Sequence, residues 1–166
     1  MRLRPYIADS DFECIREWDS DERIHALWCA GRIPFPVTKS ALNDLLNDHA
    51  VRFGDAPFVA TEDDGTPVGF FCYTTDLQTN VGMLRFVMID SSLRGKGYGR
   101  EMLSLAVKYA FDIAKADAIQ LNVFTSNERA KKCYLSVGFT ERSVTPDVFT
   151  YNDESWGRCK DRKSVV

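Results

Sequence analysis

The sequence is poor in the residues from which metal and disulfide sites are built. It has two histidines, His25 and His49, which are too few and too far apart for a His-rich zinc site. Its five cysteines form no C-x-x-C pair and are odd in number, which argues against a disulfide framework. We therefore expect no metal, and reduced thiols of the kind found in a cytoplasmic protein.

Long apolar runs and an excess of positive charge are also absent. No stretch is suited to span a bilayer or to act as a signal peptide, so we expect no membrane partner. The net charge of −3 at pH 7 argues against a nucleic-acid partner. A hydrophobic fraction of 45% excludes disorder, and 166 residues without repeats or linkers predict a single domain over residues 1–166.

One stretch combines a strand, a glycine-rich turn and a helix. Residues 84–89 form an apolar strand, and residues 102–114 carry an apolar face at helical spacing. Glycines alternate with larger residues between them, in Arg94-Gly95-Lys96-Gly97-Tyr98-Gly99-Arg100. Such glycines let the backbone approach a ligand, and the helix start adds unpaired N–H groups and the positive end of its dipole. The stretch therefore predicts a phosphate site, best suited to a diphosphate.

The glycine spacing does not fit two common nucleotide-binding motifs. A P-loop requires G-x-x-x-x-G-K-[ST], which is absent. A Rossmann fingerprint requires G-x-G-x-x-G and an acidic residue after the next strand, whereas this chain has G-x-G-x-G and a next strand followed by Thr-Ser-Asn. This spacing weakens the hypothesis of a nucleotide-binding oxidoreductase, and identification of a bound cofactor would test that hypothesis directly.

The remaining pattern, R-x-x-G-x-G at residues 94–99, resembles the acyl-CoA pyrophosphate loop of the GNAT superfamily of N-acyltransferases. A second segment supports the resemblance, because a strand is followed in order by Asn127, Ala130, Tyr134 and Gly138-Phe139. Two linked motifs in this order are a specific signal. The resemblance is close over residues 83–139 and elsewhere extends only to the order of elements.

The resemblance implies an α/β (α+β) fold with a mixed, mostly antiparallel sheet of six to seven strands and helices on both faces. The acyl-CoA-binding core would occupy residues 83–139, and acceptor-side helices would occupy about residues 9–50. A homodimer through the last strands is a further expectation by analogy.

Local patterns predict the other elements. They are an edge strand at residues 2–7, a helix capped by Asp9 or Ser10, helices at 24–30 and 41–47, and a hairpin of 58–62 with 68–75. One last strand is expected at 148–151 or 156–160, followed by a frayed tail over 161–166. Four aromatic residues either pack in the core or form the wall of an acceptor pocket, namely Trp18, Trp28, Phe35 and Phe53.

The resemblance also implies an N-acetyltransferase that uses acetyl-CoA as cosubstrate and acts on a primary amine of a small molecule or a protein. Residues expected to hold the CoA are Val87, Met88, Ile89, Arg94, Gly95, Lys96, Gly97, Tyr98, Gly99, Arg100, Asn127 and Ala130. Tyr134 is the expected general acid for the leaving thiolate. A backbone N–H near Val87 or Met88 would stabilise the oxyanion.

The general base is the point at which this chain departs from the family. Positions that carry a Glu in many members read Met83 and Asn122 here. The candidates are Glu22, His25, Glu62 and Asp76, beside a water chain or an acceptor that arrives deprotonated. A catalytically silent module that binds acyl-CoA therefore stays open as an alternative. Four acidic residues would favour a cationic acceptor, namely Asp19, Asp21, Glu22 and Asp76.

Overall fold

The computed structural model describes residues 1–165, and its centre is a sheet of seven strands in the order β1-β2-β3-β4-β5-β7-β6. The strands are β1 (Arg2–Pro5), β2 (Ala56–Thr61), β3 (Pro67–Asp76), β4 (Val81–Ile89), β5 (Ala118–Phe124), β6 (Thr140–Tyr151) and β7 (Glu154–Ser164). β4 and β5 run parallel, whereas the other neighbouring strands are antiparallel. The predicted mixed, mostly antiparallel sheet is confirmed.

Within residues 1–165, five α-helices connect the strands. They are α1 (Ala8–Trp18), α2 (Glu22–Cys29), α3 (Lys39–Phe53), α4 (Tyr98–Lys108) and α5 (Glu128–Ser136). A 3-10 turn, Ser91–Leu93, precedes α4, and a π-helical turn, Tyr109–Ile113, follows it. None of the helices in this part of the chain combines the length and the apolar character needed to cross a bilayer.

The start of α1 differs from the prediction. Neither Asp9 nor Ser10 caps the helix, since Ile7 precedes its first residue and offers no side-chain cap. Instead the buried Asp11 carboxylate accepts a hydrogen bond from the Ile7 N–H at 2.8 Å. The same carboxylate binds the Arg4 guanidinium through two contacts of 2.8 Å. A partly buried ion pair, rather than a cap by Asp9 or Ser10, therefore fixes the turn from β1 into α1.

Two further helices end differently from the prediction. Thr38 caps α3, which extends beyond the predicted residue 47 to Phe53 and is followed by Gly54, whose φ of +75° provides the left-handed C-terminal position. The π-helical turn after α4 widens the helix by one residue per turn and rotates Ile113 away from the core. Ile113 is 69% exposed, so its predicted place on the apolar face of α4 is wrong.

Side chains alternate across the sheet, so each face supports its own core. On one face, α1, α2 and α3 pack over Phe70 and Cys72 of β3. On the other face, α4 and α5 pack over Phe71 and Tyr73 of the same strand. Helices therefore cover both faces, and this explains why β3 is almost continuously apolar.

β4 changes the facing of its side chains in mid-strand. Leu84 packs with α4 and α5, but Phe86 and Met88 pack with α1, α2 and α3, although the three would share one face of a regular strand. The change occurs at Phe86, whose φ is +53°, and the register with β3 shifts at the same point. This is a β-bulge. The Trp28 Nε1–H of α2 donates to the Phe86 carbonyl at 2.9 Å and supports it.

Beyond the bulge, β4 and β5 separate. They pair only through residues 81–84 and 118–121. β5 continues alongside β7 as far as Phe124, while β4 continues alongside β3 as far as Ile89. Within residues 1–165, the facing edges of β4 and β5 thus lack strand partners past this point, and a cleft opens between them.

The C-terminal segment forms two long strands rather than the single last strand predicted. β6 and β7 pair with each other, and β7 lies between β6 and β5. Residues 161–164, predicted to fray, belong to β7 and pair with β5, and Asp161 is buried. The edge of β5 supplies backbone partners that the polar composition of this segment does not reveal. Val166, also in the predicted tail, lies outside the described residues.

Replacing Trp28 by Phe should destabilise the protein beyond the loss of packing, because the Phe86 carbonyl would lose its donor. We expect this bond to account for about 1–2 kcal/mol of the free energy of unfolding. Trp156→Phe is a matched control, because Trp156 is buried but its Nε1–H makes no hydrogen bond within residues 1–165. The Glu154 carboxylate lies nearby but is not in hydrogen-bonding geometry. Urea unfolding measures both losses, and equal losses would contradict the support of the bulge by Trp28.

Candidate active site

The loop between β4 and α4 has the backbone that its glycines permit. Gly95 and Gly97 have φ of +78° and +90°, which side-chain-bearing residues rarely adopt. A Cβ added at either position would meet no atom within 4 Å, so the space in front of the loop is open. The first hydrogen bond of α4 runs from the Glu101 N–H to the Gly97 carbonyl. The three preceding N–H groups, those of residues 98–100, therefore have no partner inside the helix.

A cavity of about 670 Å³, here called the loop cavity, lies between this loop, the end of β4, α2 and the start of α5. Ten of the twelve residues predicted to hold CoA line it, together with Tyr134: Val87, Met88, Ile89, Arg94, Gly95, Gly97, Gly99, Arg100, Asn127 and Ala130. Segments more than 30 residues apart in sequence thus meet at one site, as the two motifs predicted.

Lys96 and Tyr98 do not line the loop cavity. Lys96 is exposed. Tyr98 packs partly against the α4–α5 core, and a hydrogen bond to the Glu62 carboxylate raises the pKa of its phenol. The part of the loop that lines the cavity is therefore formed by its three glycines together with Arg94 and Arg100.

Arg94 is oriented toward the loop cavity by a contact from another element. Its guanidinium is half-buried and donates to the Trp18 carbonyl at the end of α1, at 3.2 Å. Desolvation, followed by repulsion from the neighbouring Arg129, lowers the pKa of Arg94. An anion bound in the cavity would raise the pKa of Arg94 again, because it would stabilise the charged guanidinium. A bound phosphate would have this effect.

Tyr134 projects from α5 toward the point at which β4 and β5 separate. Asn127 caps α5 by accepting a hydrogen bond from the Ala130 N–H at 3.3 Å, and Gly138 ends the segment with a φ of +98°. The Tyr134 ring packs edge-on against Phe139, with centroids 6.0 Å apart. Burial raises the pKa of the Tyr134 phenol, so the hydroxyl stays protonated at neutral pH.

A second cavity, here called the split cavity, lies in the cleft between β4 and β5 and has a volume of about 370 Å³. It shares six lining residues with the loop cavity: Leu27, Trp28, Val87, Asn127, Ala130 and Tyr134. Its remaining walls come from β4, β5, the β6–β7 hairpin and the end of α2. The two cavities therefore meet on either side of Val87 and Tyr134.

None of the four predicted bases lines either cavity. His25, a residue of α2, is buried, and its ring contacts the Asp19 carboxylate at 2.6 Å and the Ile33 carbonyl at 2.7 Å. Glu62 interacts with Tyr98 instead. Glu22 lies in the exposed first turn of α2. No group of three or more His, Cys, Asp or Glu in residues 1–165 is arranged to hold a metal ion.

Asp76 lines a larger cavity, of about 820 Å³, at the opposite end of β4. That cavity contains none of the glycine-loop residues and is separated from Tyr134, so size alone does not identify the site. Asp19 and Asp21 do not reach the split cavity either, because Asp19 is held by His25 and Asp21 caps α2. The predicted acidic surface for a cationic acceptor is therefore not assembled around the cleft.

The aromatic residues of the acceptor-side region divide between the two predicted roles. Trp28 lines both cavities and is also part of the α1–α3 core. Trp18 is buried in that core, Phe35 packs against His25, and Phe53 lies beside the distant cavity. Only Trp28 among them belongs to the site.

Sequence reasoning missed four arginines, three of them at the split cavity, and part of α2. Arg32, Arg85 and Arg158 line the split cavity, and Ile24 and Leu27 line the loop cavity. The arginines come from three distant segments with no common motif, so no spacing could have grouped them. Arg129, which also lines the loop cavity, could have been found, because it lies in the first turn of α5 just after the motif residue Asn127.

Comparison with known sequences bears on the same region. The sequence model of the acetyltransferase (GNAT) family matches residues 12–139, which include the glycine loop and Tyr134. An uncharacterized N-acetyltransferase of Methanocaldococcus jannaschii is 28% identical over 98 residues, or 59% of this chain. The match spans 62% of the length of that relative.

Among solved structures, spermidine N-acetyltransferase from Vibrio cholerae in complex with CoA and spermine superposes with a TM-score of 0.82 at 20% identity, over 98% of this chain and 94% of that one. Ribosomal-protein-alanine N-acetyltransferase from Brucella melitensis superposes with a TM-score of 0.74 at 18% identity, over 99% and 100% of the two chains. These structures share the fold. With the match over residues 12–139, they lead to one conclusion: the chain belongs to the acetyltransferase (GNAT) family.

Proposed function

We propose that the protein is an N-acetyltransferase that moves an acetyl group from acetyl-CoA to a primary amine by direct attack. The observation that carries this proposal is the meeting of the loop cavity and the split cavity at Val87 and Tyr134. A thioester at this junction would have the CoA on one side and the acceptor amine on the other.

The loop cavity suits the donor. Gly95, Gly97 and the start of α4 present open space and unpaired N–H groups to a diphosphate, and Arg94 and Arg100 supply positive charge. In the part of the chain that the structure describes, the edge of β4 at residues 87–89 has no strand partner on the side of β5, so its backbone groups are available to the amides of pantetheine. Lys96 and Tyr98 are not part of this proposed contact set.

The chemistry follows from the groups at the junction. A neutral amine attacks the thioester carbonyl, a C–N bond forms, and the C–S bond breaks. A backbone N–H near Val87 or Met88 stabilises the oxyanion, and Tyr134 donates a proton to the leaving thiolate. The excess proton on nitrogen passes to water, from which the Tyr134 phenolate recovers its own.

One observation favours a second candidate function, a catalytically silent module that binds acyl-CoA. Within residues 1–165, no carboxylate or imidazole lines the split cavity, so neither of the usual basic groups is present there. Incubation with acetyl-CoA and a panel of amines separates the two functions. Release of free thiol that depends on the amine supports the transferase, whereas CoA binding without thiol release supports the silent module.

Gly97→Val should abolish CoA binding, because a β-branched side chain disfavours a φ of +90° and fills the approach to the loop. Gly65→Val is the matched control, since Gly65 has a φ of +92°, also meets no atom within 4 Å and lies in the turn between β2 and β3. Both variants should lose similar stability, so calorimetric titration with CoA isolates the binding effect. Unchanged CoA affinity in Gly97→Val would place the diphosphate elsewhere.

Tyr134→Phe removes one oxygen and keeps the ring, so packing and the KM for acetyl-CoA should change little. We expect kcat to fall roughly 10²-fold, the lower range for general acid catalysis, because thiolate is a moderately good leaving group. Tyr6→Phe, which removes a buried hydroxyl that lines neither cavity, should leave kcat unchanged. Steady-state kinetics with the best acceptor measure kcat and KM of both variants. If Tyr134→Phe keeps the full kcat, Tyr134 is a packing residue and not the general acid.

A further inference from the structure

The split cavity is surrounded by positive charge. Arg32 follows α2, Arg85 lies on β4, and Arg158 lies on β7, and all three line the cavity. The carboxylates that the sequence singled out do not reach it. A guanidinium is always charged at the pH at which an enzyme works, so the cavity carries a fixed positive potential.

Two of these arginines are connected through one buried carboxylate. Arg85 forms an ion pair with Asp55, whose other oxygen contacts His49 Nδ1 at 3.0 Å. Arg32 Nη1 lies 3.2 Å from His49 Nε2. Because a guanidinium only donates, Nε2 accepts, and His49 is the neutral tautomer that donates from Nδ1 to Asp55. The network holds both guanidinium groups in place and neutralises one charge of the pair.

The other charges around the cavity are not neutralised. Within residues 1–165, neither Arg32 nor Arg158 has a carboxylate within 4 Å. Both are exposed, so each keeps hydrogen-bond donors for a ligand. Their guanidinium forks match the geometry of a carboxylate or of a tetrahedral oxyanion group.

Building on the proposed function, we infer that the acceptor is an amine that also bears an anionic group, a carboxylate or a phosphonate, which Arg32 and Arg158 bind. Trp28 and Phe149 line the same cavity and would pack against the carbon skeleton between the two groups. A polycation would instead place additional ammonium groups beside fixed guanidinium groups, which is electrostatically unfavourable.

The same charges account for the missing base. Nearby cations disfavour the protonated form of an amine and lower its pKa. An amine anchored by its anionic end among these arginines therefore loses its proton to water more readily than the same amine in solution. The arginines would both select the acceptor and favour its reactive neutral form.

The test compares anionic acceptors with their uncharged carboxamides. Glycine, β-alanine, 4-aminobutanoate and L-methionine are each paired with the corresponding carboxamide, and aminomethylphosphonate and spermidine are added. Initial rates of thiol release from acetyl-CoA are compared per concentration of neutral amine, because the carboxamide alters the pKa of the amine itself. We expect kcat/KM for the favoured carboxylate or phosphonate to exceed that of its uncharged counterpart and of spermidine by about tenfold or more.

Two variants assign the effect to residues. Arg158→Gln and Arg32→Gln should each reduce the ratio of kcat/KM for the anionic acceptor to kcat/KM for its carboxamide by about tenfold. Arg142→Gln is the matched control, because Arg142 is an exposed arginine of β6 that lines neither cavity. It removes the same charge and should leave the preference intact.

The outcomes separate this inference from the function on which it rests. If carboxamides or spermidine are acetylated at least as fast as the anionic acceptors, the protein is a transferase but the inference is wrong. If Arg142→Gln lowers the preference as much as Arg158→Gln, a general charge effect replaces the proposed contact. If neither series gives amine-dependent thiol release, the proposed function fails, and the inference fails with it.

Discussion

The left-handed backbone at Phe86 is the constraint on which the site depends. A positive φ at a bulky residue costs about 1–3 kcal/mol and persists only where the surroundings impose it. Here the Trp28 indole bonds the Phe86 carbonyl, and the Phe86 ring packs against Trp28 and His49. The bulge reverses the facing of β4, so Arg85 and Phe86 lie on the same face although they are consecutive. It also marks the point at which β4 leaves β5, which creates the cleft.

Together, the two cavities are formed by β4, β5, the glycine loop, α2 and α5, with the β6–β7 hairpin at the split cavity. The parallel pairing of β4 with β5 brings the glycine loop and α5 to one side of the sheet, and the loss of that pairing leaves room between them. α2 closes the cleft from the other face, where Trp28 both supports the bulge and lines the two cavities. The same side chain thus contributes to the stability of the bulge and to the shape of both cavities.

The sequence allowed prediction of the family, the sheet type and most of the loop cavity, because those depend on local signals. Glycines at positive φ, the Asn127 cap and Gly138 each mark their own positions. The bulge at Phe86 could not be predicted, because nothing in its local sequence requires it and its support comes from Trp28, 58 residues away. The pairing of residues 161–164 with β5 was missed because backbone hydrogen bonds, not apolar side chains, order that segment.

The ion pair of Asp55 with Arg85 makes the β4 wall of the split cavity less tolerant of substitution than the β7 wall. Removal of Arg85 would leave the carboxylate of Asp55, which is 4% exposed, buried without its strongest partner, and such changes are costly. Arg158, at the opposite wall, is exposed and holds no buried charge in place. Mutational drift could therefore alter the cavity from the β7 side while the β4 side stays fixed by folding. The stability of the fold thus depends more on the β4 wall of the cavity than on its β7 wall.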